Sequence, residues 1–176
     1  MSRVSFLPFL AAAVLFLPDH SSAQVYVAPF VAHHDDADLG LGLQMGFPFP
    51  ESQENTLFFI DAGFFFPDSP RGRESDVDYW EVNGNVVLRF PMEDDRFTPW
   101  ALAGLNLAHK AVGLNLGPFD DGERNTETDI GFNVGAGMTF GTGPVSPFAG
   151  AKVEVGGGSA VVVFGGISFR LGLNES

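Results

Sequence analysis

The sequence feature that most constrains the fold is the strict alternation in Ile130–Phe140 (IGFNVGAGMTF). Every second position carries an apolar side chain, and the positions between carry Gly, Asn or Thr. Since successive side chains of a strand point to opposite faces, this segment predicts a strand with one apolar face and one small or polar face. Gly is a poor strand residue unless the sheet curves or something packs closely on it. The pattern therefore indicates the wall of a small barrel with a narrow interior and an apolar exterior facing lipid.

Similar segments recur along the chain and are separated by turn residues. Gly (22) and Pro (12), the strongest turn signals, are abundant. Each is near the length with which a tilted strand crosses a membrane. We predict an all-β fold, an eight-stranded antiparallel up-and-down transmembrane β-barrel. An even number of strands returns both chain ends to the same side. The predicted strands are Gln24–Ala32, Leu39–Phe49, Leu57–Phe66, Val77–Phe90, Pro99–Ala108, Ile130–Phe140, Val145–Val155 and Ala160–Leu171.

The first 23 residues have the composition of a cleaved secretory signal peptide. Arg3 supplies a positive start, Val4–Leu17 is apolar, and Ser21-Ser-Ala23 ends the segment with small residues. The apolar run is shorter than a spanning helix requires, which disfavours a membrane anchor. We expect cleavage between Ala23 and Gln24, so that residues 1–23 are the signal peptide and residues 24–176 form one barrel domain.

Polar residues on the weaker faces of the predicted strands are expected to point into the lumen. A charge facing hydrocarbon is costly, whereas an eight-stranded interior is just wide enough to be filled by side chains that pair with one another. A structural set of salt bridges is the favoured interpretation, and a narrow path that weakly prefers cations is the alternative. The residues assigned to this network are Asp61, Glu81, Asn83, Asn85, Arg89, Asp129, Asn133, Lys152, Glu154 and Arg170.

Aromatic residues near strand ends are expected to form girdles at the two membrane interfaces. Ordinary core packing in a soluble barrel is the competing interpretation. The residues assigned to the girdles are Tyr26, Phe49, Phe66, Tyr79, Trp80, Phe90 and Trp100.

No catalytic, metal or cofactor site is predicted. The segment His33–Asp38 (HHDDAD) could ligate a divalent metal, but a solvated loop is the simpler interpretation. The acidic patch Asp120-Asp121-Gly-Glu123 lacks the ligand alternation of a calcium loop. A hydrolase is disfavoured because no Gly-x-Ser-x-Gly segment accompanies His33, His34 or His109. The formal net charge of −13 and the scarcity of Lys and Arg exclude nucleic acid as a partner.

Three segments resemble the strand starts and final strand of a known family, namely Pro99–Gly104 (PWALAG), Thr142–Gly150 (TGPVSPFAG) and Gly165–Leu171 (GGISFRL). Through them the chain resembles the small outer-membrane β-barrels, the OmpA transmembrane-domain and OmpX-like proteins. The resemblance implies a monomer in the cell outer membrane, in contact with membrane lipid and lipopolysaccharide and inserted by the outer-membrane assembly machinery.

The role that this resemblance implies is a structural one in envelope integrity, or surface interaction through acidic extracellular loops, without enzymatic activity. A narrow porin-like channel is the alternative on the same scaffold. A soluble periplasmic lipocalin-like binder is a further alternative, but its solvent-facing residues would have to be charged, whereas the weaker faces here are mostly Gly, Ala and Asn.

Overall fold

A computed structural model describes residues 24–49, 55–67, 75–93, 96–114 and 124–172. The predicted signal peptide with Ala23 and the acidic patch Asp120–Glu123 lie outside these ranges. The described part of the chain contains no helix that is long and apolar enough to cross a membrane.

The described residues form one closed sheet of eight strands in the order β1 to β8. Every neighbouring pair is antiparallel, and β1 pairs with β8 from Gln24↔Gly172 to His34↔Val162, which closes the sheet. The predicted eight-stranded antiparallel up-and-down barrel is therefore confirmed. The strands are β1 Gln24–His34, β2 Asp38–Pro48, β3 Thr56–Phe65, β4 Ser75–Arg89, β5 Phe97–Leu114, β6 Arg124–Phe140, β7 Val145–Gly156 and β8 Gly158–Gly172.

The strands β4, β5 and β6 are longer than the sequence pattern predicted. The segment 109–127 was predicted as a single long connection, but β5 continues to Leu114 and β6 begins at Arg124. The β5–β6 ladder runs without a break from Phe97↔Phe140 to Gly113↔Arg124. Hydrophobic alternation ends where the strands leave the apolar part of the barrel, so the pattern could not reveal this polar extension.

Large apolar side chains cover the outside of the barrel. On β6, Ile130, Phe132 and Val134 have 75%, 70% and 60% of their surface exposed. The intervening Gly131 and Asn133 are buried in the interior. A barrel in water would show the opposite arrangement, so this distribution argues against a soluble lipocalin-like binder. It is the arrangement expected of a wall that faces hydrocarbon.

Glycines of the inner face form notches that receive large aromatic side chains. The Trp100 ring of β5 lies over Gly137 of β6 and Gly150 of β7, where an added Cβ at either position would overlap the ring. Gly42 holds the Phe30 ring in the same way. Glycine is required at these positions because another backbone or ring approaches too closely for a Cβ.

The two ends of the barrel differ. One end, which we call the terminal end, carries both ends of the described chain and the β2–β3, β4–β5 and β6–β7 connections. The other four connections lie at the loop end. There β4, β5 and β6 continue beyond their neighbours, because the β3–β4 ladder ends at Phe65↔Tyr79 and the β6–β7 ladder ends at Phe132↔Val155. We call segments 75–78, 109–114 and 124–130 the projecting sheet.

Candidate functional site

A layer of buried polar side chains crosses the interior of the barrel, and we call it the polar plug. Six strands contribute to it, β1, β3, β4, β5, β6 and β7. Each of its residues has at most 6% of its surface exposed, so these groups must satisfy one another. The members of the plug are His34, Asp61, Glu81, Asn83, Asn85, Asn106, Asn133, Lys152 and Glu154.

Lys152 is the central cation of the plug. Its Nζ lies 3.0 Å from Oε1 of Glu81 and 2.7 Å from Oε1 of Glu154. Glu81 is on β4 and Lys152 on β7, 71 residues apart along the chain, so this ion pair spans the lumen. A charge in such a place persists only if it is paired and hydrogen-bonded, and both carboxylates provide that pairing.

Four asparagines extend the plug from Glu81 to Asp61. Asn83 donates from Nδ2 to Oδ1 of Asp61 at 2.7 Å, and Asn85 donates to Oδ2 at 2.9 Å. Asn106 and Asn133 both donate to Oδ1 of Asn83, at 3.0 and 2.9 Å. The asparagines act as a relay of donors, which lets a carboxylate stand in the interior without its own cation.

His34 closes the plug towards the loop end. Its Nδ1 accepts the backbone N–H of Asp36 at 3.0 Å, so the proton of the neutral ring lies on Nε2. Nε2 is 3.3 Å from the Tyr79 hydroxyl and 3.7 Å from Oε2 of Glu154. The ring also packs edge-on against Phe65 and Tyr79. His34 was predicted in a solvated loop, but it is 2% exposed because β1 extends to it and its parity points inward.

His34, Glu81 and Glu154 are close enough to suggest a metal, with one ligand atom of each within 4.8 Å of the others. The hydrogen bonds oppose that use, because Nε2 carries the proton and Lys152 already occupies both carboxylates. The second such group, His34 with Asp35 and Asp36, also needs the Nδ1 lone pair that the Asp36 amide uses. The arrangement is a set of hydrogen-bonded ion pairs.

A cavity of about 130 Å³ lies between the plug and the terminal end, and we call it the vestibule. Its inner wall is apolar and includes Trp100 stacked on Phe164, with ring centroids 6.0 Å apart. Its outer rim includes the β6–β7 turn, residues 141–144, and the side chains of Arg89 and Arg170.

Three charged residues assigned to the lumen network lie outside the plug. Arg89 is half-buried at the vestibule, with its guanidinium 5.9 Å from the centre of the Tyr26 ring. Arg170 donates from Nη2 to the carbonyls of Thr142 and Gly143, at 2.5 and 3.1 Å. Asp129 is half-buried near the loop end, beside the β7–β8 turn at Gly157. The inward parity of all three is as predicted, but they stand at the ends of the lumen.

Four of the predicted girdle residues lie on the outer surface. Phe49, Phe66 and Phe90 have 43%, 54% and 52% of their surface exposed, and Trp80 stacks on His109 with ring centroids 5.0 Å apart.

Trp100, Tyr26 and Tyr79 were assigned to the girdles, and all three lie inside instead, Tyr79 against His34 and Phe65. Trp100 is 8% exposed, and Tyr26 lines the vestibule. Trp100 turns inward because Leu105 fixes the outward parity of β5, a signal already present in the sequence. No such signal existed for Tyr26, because β1 is apolar on both faces.

Sequence reasoning missed Asn106 and Tyr79 as interior polar groups. The outward parity of Leu105 also places Asn106 inside, so its part in the plug could have been found. Tyr79 has the inward parity of Glu81 and Asn83, but aromatic residues suit either face, so its type gave no signal.

The fold is shared with solved structures of outer-membrane barrels, although no family model and no curated protein matches the sequence. The N-terminal β-barrel domain of Pseudomonas aeruginosa OprF is similar with a TM-score of 0.62 and 15% identity, over 84% of this chain and 97% of that one. A major outer membrane protein from Thermus thermophilus gives 0.63 and 12%, over 86% and 100%. Neisserial surface protein A gives 0.59 and 16%, over 85% and 96%. At these identities the likeness confirms the fold.

Proposed function

We propose that this chain, which has the fold of the small outer-membrane β-barrels, sits in an outer membrane as a structural, non-enzymatic barrel with a surface for interaction. The observation that carries the proposal is the projecting sheet at the loop end. A wall of exposed apolar residues anchors the protein in lipid, and the projecting sheet extends beyond that wall. The loop end then faces outward and the terminal end faces the periplasm, because the longer connections of such barrels are extracellular.

The projecting sheet offers an edge to which another strand can be added. Among the described residues, segment 124–130 of β6 is paired with β5 but has no ladder partner on its other side. An unpaired edge presents backbone N–H and C=O groups, to which extended peptides bind by adding a strand. Asn125, Thr126, Glu127 and Thr128 are exposed there, and Glu127 with the neighbouring Asp129 makes the edge acidic. Its partner is therefore an extended segment with basic side chains.

Binding of a synthetic peptide tests this proposal. Anisotropy of a labelled Thr-Lys-Thr-Lys-Thr-Lys peptide should rise on addition of the folded protein in zwitterionic vesicles. A peptide of equal charge with Pro in place of the central Thr should bind more weakly, because it loses a backbone donor. Glu127→Lys should reduce binding, whereas Asp35→Lys, an equal charge change on the β1–β2 turn, should have little effect. Equal binding of the two peptides would show a purely ionic attraction and refute edge pairing.

The membrane part of the proposal has its own test. The protein should fractionate with outer membranes and migrate faster on a denaturing gel before boiling than after it. We further propose that it is a monomer in contact with lipid and lipopolysaccharide, inserted by the outer-membrane assembly machinery. Recovery from the soluble periplasmic fraction would contradict this.

We propose that the barrel does not conduct ions. The alternative is a narrow pore, which the charges predicted in the lumen also suggested. The plug closes the lumen above the vestibule with paired polar side chains, and the buried rings of Trp100, Phe148 and Phe164 pack beside it, which supports a structural role for the lumen charges. The purified protein should therefore give no steady ionic current in a planar bilayer. A reproducible conductance would instead support the porin-like alternative.

A further inference from the structure

The vestibule carries a charge opposite to that of the protein as a whole. The chain has 22 acidic and 9 basic Lys and Arg residues. Of the described residues that line the vestibule, the two that carry a formal charge at neutral pH are both basic, Arg89 and Arg170. Placing two of nine cations at one cavity in a strongly acidic protein creates a local site for an anion.

The Arg170 guanidinium is held in place at the rim. Its Nη2 is anchored to the carbonyls of Thr142 and Gly143 in the β6–β7 turn. Its Nε is buried and has no hydrogen-bond partner among the described residues. A buried donor without a partner costs free energy, so this guanidinium keeps unused hydrogen-bonding capacity at the rim of the vestibule.

The inner wall of the vestibule is suited to a flat apolar group. Trp100 and Phe164 stack with an interplanar angle of 28°, and Phe148 packs beside them with its ring centroid 6.4 Å from that of Phe164. Aromatic faces and edges favour a further ring in offset or edge-on contact. Apolar cavities on the order of 150 Å³ hold a benzene ring, so a cavity of about 130 Å³ is of the size that one ring requires.

We propose that the vestibule is a binding site for a small aromatic carboxylate entering from the terminal end. The ring lies against Trp100 and Phe164, and the carboxylate accepts hydrogen bonds from Arg170 and Arg89. Arginine suits this task because its planar fork matches the two oxygens of a carboxylate. The site lies at the opposite end from the projecting sheet, so it goes beyond the proposed surface role and does not depend on it.

Benzoate binding, followed by the fluorescence of Trp100, tests the proposal. Trp80→Phe leaves Trp100 as the single tryptophan, since the chain contains two. In zwitterionic micelles, benzoate should change its emission saturably, with a dissociation constant on the order of 1 mM. Benzyl alcohol has the ring without the charge, and acetate has the charge without the ring. Both should bind much more weakly.

Variants assign the binding to the vestibule. In the same background, Arg89→Gln and Arg170→Gln should each weaken benzoate binding by at least about tenfold, because each removes a charged donor. Lys110→Gln is the matched control, since it removes one exposed positive charge from β5 towards the loop end. If Arg170→Gln does not fold, as shown by loss of the faster unheated gel band, Arg170→Lys is used in its place because it keeps the charge. The effect of removing a charge is then measured with Arg89→Gln.

The proposal is overturned by any of three results. The first is a fluorescence change that rises linearly with benzoate, as collisional quenching would. The second is benzyl alcohol binding as tightly as benzoate. The third is unchanged benzoate affinity in the folded Arg89→Gln/Arg170→Gln double variant. If another part of the same chain occupied the vestibule, benzoate could not bind there, and the fluorescence change would again rise linearly.

Discussion

Replacing Lys152 by Met gives the sharpest test of the polar plug. Met is close to Lys in size and flexibility, so the change removes the charge while leaving most of the packing in place. Glu81 and Glu154 would then face each other across the lumen without their shared cation. Both carboxylates are almost completely buried, so solvent cannot replace the lost partner.

The expected loss follows from the distances. At 3.0 and 2.7 Å and an effective dielectric constant of about 20, each ion pair contributes roughly 6 kcal/mol of Coulomb attraction. Desolvation of the three groups offsets much of that sum, and breaking a buried pair costs about 3–5 kcal/mol in net terms. We therefore expect Lys152→Met to lower the free energy of unfolding by about 3–5 kcal/mol, a large part of a typical total.

Urea unfolding from lipid vesicles, followed by tryptophan fluorescence and by gel mobility before boiling, measures this loss. The triple variant Lys152→Met/Glu81→Gln/Glu154→Gln should recover most of it, because the uncompensated charges are removed together. Lys110→Met is the control, since Lys110 is exposed and should change stability by less than about 0.5 kcal/mol. If Lys152→Met is as stable as this control, or the triple variant recovers nothing, the plug does not stabilise the barrel as argued.

Three further outcomes follow from the wall of the barrel. Gly137→Ala should destabilise the protein by about 1–3 kcal/mol in the same urea assay, since its Cβ would overlap the Trp100 ring, whereas Gly158→Ala, with open space around it, should not. Val134→Arg should cost about 2–4 kcal/mol or reduce the folded yield, because this residue faces lipid near the middle of β6; wild-type stability would contradict a lipid-facing surface. Brominated lipids should quench Trp80 in the Trp100→Phe variant but spare Trp100 in the Trp80→Phe variant, and equal quenching would place both rings in lipid.

The strand count and the inward direction of the polar residues could be predicted from the sequence. Lipid outside and the polar lumen inside favour different residue types on the two faces of each strand. Asp61 lies between Ile60 and Ala62 in a Phe-rich segment whose even positions suit lipid, so the alternation left the carboxylate only the interior. The partner of each polar residue could not be predicted. The Lys152–Glu81 contact depends on the registers of three successive ladders, and each could shift by two residues without altering the hydrophobic pattern.

The errors also have physical causes. Trp100 and Tyr26 were placed at the interfaces because amphipathic rings are stable both there and in a packed interior. His34 was placed in solvent because its neighbours Asp35 and Asp36 are polar, whereas one continued step of strand parity turns it into the lumen. The projecting sheet was missed because strands in water need no apolar face. In all three cases the residue type fits two environments, and the three-dimensional neighbours decide between them.

The glycine notches have a consequence for how the strands find their register. A register shift of two residues would leave every side chain on the same side of the wall. The burial of apolar and polar groups would therefore not distinguish the shifted register from the correct one. Trp100 does distinguish the two registers, because its ring extends over Gly137 to Gly150 on the next strand and requires glycine at both positions. Shifting β5 towards Gly135 would bring the ring onto the row of Lys152, and shifting it towards Thr139 onto that of Phe148. The Trp100 side chain therefore fits only one register of both the β5–β6 and the β6–β7 ladders. It disfavours misaligned barrels that the hydrophobic pattern alone would allow.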